Sequence, residues 1–383
     1  MEAGAVSEYT RFVGFDVSAA TIAVAVAEPG RGAAEDVGML STDAAAIRKW
    51  VMRQPDRTTL LVCYEAGPTG FGLARQLGTL GVACQVVAPG LVPQRATDRV
   101  KTDRRDARHL AAALRAGTLT PVRLPTEAEE AFRDLVRART TAVQIRQRAR
   151  QRVKSLLLLW GIRPPQTGQA WSPAYRQWLT QVAPSPEPRP QVWAEALGAL
   201  AEADARVDRV TRALAAAWPT HPEARLIHAL QALRGVDWLT AATLVAEAGN
   251  FQIFPHPRQL MAWVGLVPTE ASSGATRHQG GLTKTGNAHL RRLLIEAAHS
   301  YRYRPSLQGS VGRRLAQQGM AESALSAISW RAQQRLHHRL RMVQGRRGTP
   351  KALAAVAREL CGYVWEIAVW VQAQASAEVP PVA

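Results

Sequence analysis

"RFVGFDVSAATIAVAVAE", Arg11 to Glu28, decides the fold of the first part of the chain. It reads as two short β-strands around a tight turn. A purely parallel Rossmann sheet does not open on a β-hairpin, so a mixed sheet is expected. Further along, "TLLVCYEA" (Thr59 to Ala66) is an apolar run of strand length, and "VACQVVAP" (Val82 to Pro89) is another, stopped by proline. Between them "TGFGLARQLGTLG" (Thr69 to Gly81) has helical spacing and a terminal glycine. "TDRRDARHLAAALRAG" (Thr102 to Gly117) is predicted as a helix with Thr102 at its N-cap and Gly117 past its end. Strands alternating with helices indicate an α/β domain, placed at residues 11–124 behind a disordered leader, 1–10.

The 383 residues suggest two or three domains, and a hydrophobic fraction of 47% is ample for packed cores. No apolar run reaches about 18 residues, so no membrane span is expected. The first ten residues lack the basic-then-apolar pattern of a signal peptide. Cys63, Cys84 and Cys361 form no CxxC pair, which argues against a disulfide framework or a cysteine zinc site and fits a reducing cytoplasm. The net charge is +18, and it is unevenly spread. Through residue 90 seven Lys and Arg face nine Asp and Glu, leaving +20 on the remainder. A near-neutral first segment followed by a basic body suggests a polyanion as partner, although an arginine-rich composition bias gives the same count.

From Thr126 the pattern turns helical. Thr126 and Glu129 have the spacing of a capping box. Ala131, Leu135, Ala138, Ala142, Ile145 and Ala149 recur in heptad steps, continued by Val153 and Leu156. A second stripe runs through Trp193, Ala196, Leu200, Ala203, Val207, Val210, Leu214 and Ala217. Two long helices pairing as a coiled coil, within or between chains, are predicted over 125–230. The Pro- and Trp-rich stretch 161–190 reads as an ordered loop or insertion. A mostly helical unit, 231–348, follows. Its "RGVDWLTAATLVAEAGNF" (Arg234 to Phe251) resembles the second half of a helix-hairpin-helix, whose helix could present N–H groups to a phosphate. A C-terminal helix over 349–375 and a disordered tail, 376–383, complete the chain.

Four acids stand out. Asp16 lies within an apolar strand, Glu65 ends another, and Asp103 and Asp106 share one face of a helix start. An acid inside a strand is costly unless it is paired or binds a cation. Acids on strand ends and on one facing helix can converge, and two divalent ions about 3.5–4 Å apart need several shared carboxylates. Hard oxygen ligands with no histidine cluster favour Mg²⁺ or Mn²⁺. The rival for Asp103 and Asp106 is a solvated salt-bridge face, since Arg99, Lys101, Arg104, Arg105 and Arg108 surround them. The four acids in this order, on a hairpin-first α/β unit, have the pattern of an RNase H-like, RuvC-like nuclease.

"ASSGATRHQGGLTKTGN", Ala271 to Asn287, has the look of an anion loop. It is no Walker loop, because Thr283 precedes Lys284 instead of following it, and no GxSxG elbow is present. Gly274 allows close backbone approach, Arg277 and Lys284 supply charge, and Thr285 or Asn287 can cap the next helix. That helix carries Leu290, Leu294, Ala297 and Tyr301 on one face, and Arg291 and Arg292 join the candidate nucleic-acid contacts with Lys101, Arg104 and Arg105. Serine needs a base or a metal to act as nucleophile, and Ser272 and Ser273 are both candidates.

The sequence resembles the insertion sequence 110 family of transposases, also called DEDD transposases or bridge-RNA-guided serine recombinases. The resemblance is carried by "GFDVSAATIAVAV", "YEAGPTGFGLARQLGTLGVACQVVAP", "DRVKTDRRDARHLA", "LRGVDWLTAATLVAEAGNFQIFPHPRQLMAWVGLVP" and "SSGATRHQGGLTKTGNAHLRRLLIEAAH". It implies an acid tetrad of Asp16, Glu65, Asp103 and Asp106 and a catalytic serine directly before a glycine, which selects Ser273 over Ser272. It also implies attack by Ser273 on DNA with Mg²⁺ ions at the tetrad, a noncoding bridge RNA, double-stranded donor and target DNA, and a homodimer or homotetramer. The other readings of the same residues are a junction nuclease using water and a non-catalytic nucleic-acid-binding protein.

Overall fold

The computed structural model describes residues 9–67, 69–88, 92, 102–165, 169–271, 278–317 and 324–378. Lys101, Ser272, Ser273, Gly274 and Arg277, singled out above, lie outside them. Two compact units are present, Met1–Thr126 and Glu127–Ala383, and each is described by itself.

The first unit runs β1 (Arg11–Val17), β2 (Thr21–Ala27), β3 (Glu35–Ser41), α1 (Ala44–Met52), β4 (Leu60–Glu65), α2 (Gly72–Thr79), β5 (Ala83–Val87), α3 (Asp103–Arg115) and β6 (Pro121–Val122). The sheet order is β3-β2-β1-β4-β5-β6. β1 is antiparallel to β2 and parallel to β4, so the opening hairpin does produce a mixed sheet. β3 is a strand that the sequence reading lacked. Its residues are mostly exposed, and Val37, Met39 and Leu40 put apolar side chains on both faces, so no clean alternation marks it. Tyr9 and Thr10, expected in a disordered leader, are ordered: Tyr9 packs beside Leu61, and the Thr10 N–H donates to the Thr59 carbonyl at 3.0 Å.

Period-two alternation assigns the two faces of this sheet. Val13, Phe15, Val24, Val62 and Tyr64 pack on one side with Ile47 and Val51 of α1 and Leu77 of α2. Ala23 and Ala25 meet Ala107 and Ala111 of α3 on the other side, and Leu61 and Cys63 meet Leu110 and Leu114 there. Each fully buried large side chain of such a core contributes about 1.5–3 kcal/mol. Gly14 faces α3, where a β-carbon would stand 2.2 Å from the Ala107 carbonyl oxygen. The missing side chain lets the helix backbone lie directly on β1.

Among the described residues the second unit is helical apart from one small hairpin. It contains α4 (Glu127–Leu159), α5 (Pro173–Gln181), α6 (Arg189–Ala217), α7 (Ala224–Leu230), α8 (Trp238–Ala248), α9 (Pro257–Trp263), the hairpin β7 (Pro268–Glu270) and β8 (Gln279–Leu282), then α10 (Ala288–Ala298), α11 (Ser310–Gln317), α12 (Ala324–Arg347) and α13 (Thr349–Glu378). α4 and α6 pack along each other within the chain. They run antiparallel, because Phe132 and Val136 share a cluster with Leu214, whereas Val153 and Leu156 share one with Trp193 and Leu200.

The second apolar stripe is buried at Trp193, Ala196, Leu200, Ala203, Val207 and Leu214. The first is displaced at its start: Phe132 and Val136 are buried, while Ala131 and Ala138 are exposed. This end of α4 joins the large core, where Phe and Val remove more area from water than alanine can. α5 forms within the 161–190 stretch, and its Tyr175 and Leu179 close over the α4–α6 end beside Trp193. α13 packs against α7, α9, α10 and α12 and continues to Glu378, three residues into the expected tail.

Candidate active site

Asp16 and Glu65 end up as neighbours for a topological reason. Phe15 pairs with Tyr64 across the parallel β1–β4 ladder, and Asp16 and Glu65 are the next residues on each strand. Adjacent strands lie about 4.8 Å apart. Both acids continue the face of Gly14 and Cys63, the one that α3 covers, and both are half-buried. α3 runs back over β1. Arg115 at its end donates to the Glu28 and Gly32 carbonyls, beyond the β2 residue Ala27 that pairs with Phe12. Its first turn therefore sits toward the opposite end of β1, the end of Asp16.

That first turn carries Asp103, exposed, and Asp106, half-buried. Thr102 has extended backbone and its carbonyl receives the Arg105 and Asp106 N–H groups, but its side chain makes no capping bond. The four acids thus share one edge and one face of the sheet. Their hard oxygen donors suit a small divalent cation. Among the described residues no three His, Cys, Asp or Glu side chains are drawn close enough together to enclose an ion. The fit to a metal rests on donor chemistry and shared placement, and α3 approaches Asp16 by virtue of Gly14.

In the second unit, β7 and β8 bring Ala271 and His278 together, with the Ala271 N–H donating to the His278 carbonyl at 3.0 Å. The candidate serines lie on the stretch joining them. Past β8 the chain is tied down: Thr283 N–H bonds to the Val267 carbonyl and Lys284 N–H to that of Gly265. Gly286, with φ of 68°, packs where a β-carbon would meet the Trp263 carbonyl oxygen at 1.8 Å. Asn287 caps α10 by accepting from the Leu290 N–H at 3.0 Å. Leu290, Leu294, Ala297 and Tyr301 are all buried, as their spacing predicts.

Below that cap lies a polar cluster that the sequence reading did not single out. Glu247 of α8, whose side chain is 2% exposed, receives Arg137 Nε and Nη2 at 3.0 and 2.9 Å and Asn287 Nδ2 at 2.9 Å. His289 Nδ1 lies 3.2 Å from its other oxygen, and His289 Nε2 faces Thr140 Oγ1 at 3.3 Å. An ionised carboxylate only accepts, so Nδ1 carries the proton. Burial alone would push the Glu247 pKa up, but the bonds from His289, Arg137 and Asn287 outweigh it and hold the group far below the usual range. An open cavity of about 400 Å³ adjoins the cluster, lined by Arg137, Thr140, Thr141, Glu247, Asn287 and His289. The available signal was a single acid inside the apolar run "LTAATLVAEAG".

The basic candidates separate by their partners. Lys284 is exposed and has a left-handed φ of 55°. Arg291 Nη1 donates to the Val264 and Thr285 carbonyls, so it braces the turn before α10. Arg292 pairs with Glu296 one turn on, and Arg104 reaches Asp36 at 3.4 Å. Arg105 is exposed on α3. The α8 N-terminus, expected to offer N–H groups to a phosphate, carries a cap of its own: Asp237 accepts from the Thr240 N–H at 2.8 Å. A carboxylate at that position repels an approaching anion.

Comparison with known proteins gives the family of the chain. Residues 13–161, a span holding all four acids, match the model of the DEDD transposase domain of IS110 type, described as "Transposase". Residues 227–311, a span holding both serines, match the model described as "Transposase IS116/IS110/IS902 family". The chain is 42% identical over 368 residues to the "Putative transposase y4qE" of Sinorhizobium fredii, covering 95% of this chain and 90% of that protein. It is 27% identical over 340 residues to the "Transposase for insertion sequence element IS1533" of Leptospira borgpetersenii, covering 88% and 97%. The protein is therefore an insertion-sequence transposase, an enzyme of DNA strand transfer. Within that class it belongs to the IS116/IS110/IS902 family, and its DEDD domain implies divalent metal, Mg²⁺ foremost. No helix among the described residues is long and apolar enough to cross a membrane.

Proposed function

We propose that the chain excises and inserts its element with Ser273 as nucleophile and with Asp16, Glu65, Asp103 and Asp106 as the metal-holding tetrad of a RuvC-like domain. The observation that carries the reading is the register of β1 and β4, which leaves Asp16 and Glu65 side by side under the first turn of α3. Strand order β3-β2-β1-β4-β5 with an antiparallel opening hairpin supports the RNase H-like assignment. One or two Mg²⁺ ions at the tetrad would neutralise the scissile phosphate and lower the pKa of an attacking hydroxyl. The tetrad acids hold the charge and orientation for that step. Ser273 Oγ forms a bond to phosphorus as the bond to one DNA oxygen breaks, and that oxygen leaves as a hydroxyl. A hydroxyl of the partner DNA then displaces the serine, so one phosphodiester is exchanged for another.

In this reading Glu247 is a positioning residue. It fixes Asn287, and with it the start of α10, at the end of the segment that begins with the serines. Lys284, Arg277, Arg291 and Arg292 then face DNA from the serine segment, residues 231–348, and Lys101, Arg104 and Arg105 from residues 11–124. We extend the proposal to a bridge RNA that supplies sequence choice by base pairing, and to a homodimer or homotetramer in which the α4–α6 pair serves as a coiled coil. The division of labour would be that of RNA-guided enzymes, with the protein reading backbone and shape.

The test is a nicked or suicide DNA substrate that traps a covalent intermediate. Wild type gives a protein–DNA adduct at Ser273, and Ser273→Ala gives neither adduct nor strand transfer. Cleavage by Ser273→Ala with no adduct in wild type would assign the chemistry to water at the tetrad instead.

A further inference from the structure

The 161–190 segment builds a cluster of excess positive charge that nothing in the strand-transfer chemistry uses. Asp204 of α6 faces three guanidinium groups. Arg176 of α5 bonds it at 2.6 Å, while Arg150 and Arg146 of α4 stand at 3.8 and 4.0 Å, too far for hydrogen bonds. The side chains of Arg146 and Arg150 are only 26% and 20% exposed. Lys154 adds a fourth cation above the Trp171 ring, 5.8 Å from its centroid, and exposed Asp208 adds a second carboxylate near Arg176. Three guanidinium groups against Asp204 leave about two positive charges uncompensated at a partly buried site, with Lys154 and Asp208 exposed at its rim. Burying charge without a partner is costly, which marks the site as built for an anion.

Three details sharpen this. The Arg150 Nε is buried and has no hydrogen-bond partner among the described residues. Burial and the charges of Arg146 and Arg176 both depress the Arg150 pKa, a disadvantage that an arriving anion would reverse. Trp171 holds the cluster in place: Arg150 stacks over its ring at 5.0 Å, Arg176 Nε donates to its carbonyl at 3.2 Å, and Tyr175 meets its edge. Its φ of 71° is strained for a bulky side chain and persists only under such packing. Guanidinium forks match phosphate oxygens in geometry as well as charge.

We propose that Arg146, Arg150 and Arg176, held by Trp171 and facing Asp204, form a binding site for a backbone phosphate of DNA. The source could also be free phosphate, which shares the chemistry. DNA is favoured because the enzyme acts on it, and the inference rests on that activity alone. It is read by binding and not by cleavage, so it can fail while the serine mechanism stands, and the reverse.

The test uses the full-length chain and a short fluorescent DNA duplex of random sequence, titrated at several salt concentrations. Arg146→Gln with Arg150→Gln should weaken binding and flatten the slope of log affinity against log salt by about 0.9, one phosphate's share. Asp204→Asn should act in the opposite direction and tighten the duplex, because it removes the competing carboxylate. Inorganic phosphate should raise the melting temperature of wild type more than chloride at equal ionic strength, and the double variant should lose that excess. If the double variant misfolds, Arg146→Gln alone supplies the same reading, since Arg146 makes no hydrogen bond to Asp204. An unmoved slope overturns the proposal, as does weaker duplex binding by Asp204→Asn. Stabilisation by inorganic phosphate with an unmoved duplex slope means a free-anion site and also overturns it, as does a response to an RNA duplex alone.

Discussion

Gly14 of β1 and Ala107 of α3 are in backbone contact, with the space for a β-carbon at Gly14 lying 2.2 Å from the Ala107 carbonyl oxygen. The Ala111 N and the Leu110 Cβ crowd the same point at 2.5 and 2.9 Å, so the obstruction is helix backbone and the first atom of a helix side chain, neither of which can swing aside. Gly14→Ala must lift α3 off the sheet. Overpacking of this kind costs about 1–3 kcal/mol, here toward the upper end. Chemical denaturation should show that loss. Metal-dependent strand cleavage should fall as well, because the lifted helix carries Asp103 and Asp106. A Gly14→Ala protein as stable as wild type would refute the close packing.

The proposed tetrad predicts a separation of binding from chemistry. Asp16→Asn keeps the size of the side chain and removes its charge, so DNA binding should persist while cleavage drops by more than about 100-fold, exceeding the loss typical of an outer-sphere change. EDTA should have the same effect on wild type, reversed by Mg²⁺. Strand cleavage that survives both treatments would end the metal assignment.

Much of the first unit was legible because its hydrophobic alternation is strong. β1, β2, β4 and β5 are apolar enough to be read as strands, and Asp16 and Glu65 stand out against that background. β3 was not, since this exposed edge strand mixes polar and apolar residues on both faces. The α4 stripe was misplaced at its start because alanines fit several registers, and only the packed core reveals that Phe132 and Val136 face inward. Glu247 escaped because its meaning lies in partners 40 to 110 residues away, Asn287 and Arg137, which no local pattern connects. The anion reading of α8 failed for the opposite reason: the residue that blocks it, Asp237, was in plain view as a cap.

Glu247 sets a pH dependence in the second unit. Its folded pKa is depressed, so its contribution is complete above the ordinary carboxylate value of about 4.3 and fades as pH falls below that toward the folded value. Glu247→Gln should cost about 2 kcal/mol near neutral pH, the range for hydrogen bonds to a charged group, and the difference from wild type should shrink as the solution is acidified below about pH 4. Paired denaturant titrations across that window measure it. A constant difference would mean that Glu247 is held for its shape and not its charge.

Lys284 predicts stability and binding moving in opposite directions. Its φ of 55° is a conformation that glycine adopts freely and lysine at some cost. It is exposed and forms no ion pair among the described residues to offset the strain, while its N–H holds the Gly265 carbonyl at 3.3 Å. Lys284→Gly keeps that backbone bond and relieves the strain, so the variant should be as stable as wild type or up to about 1 kcal/mol more so. If the ammonium meets a DNA phosphate, the same variant should bind duplex more weakly and with a salt slope lower by about 0.9. A gain in melting temperature with unaltered DNA affinity would remove Lys284 from the nucleic-acid surface and leave its backbone as the only part with a role.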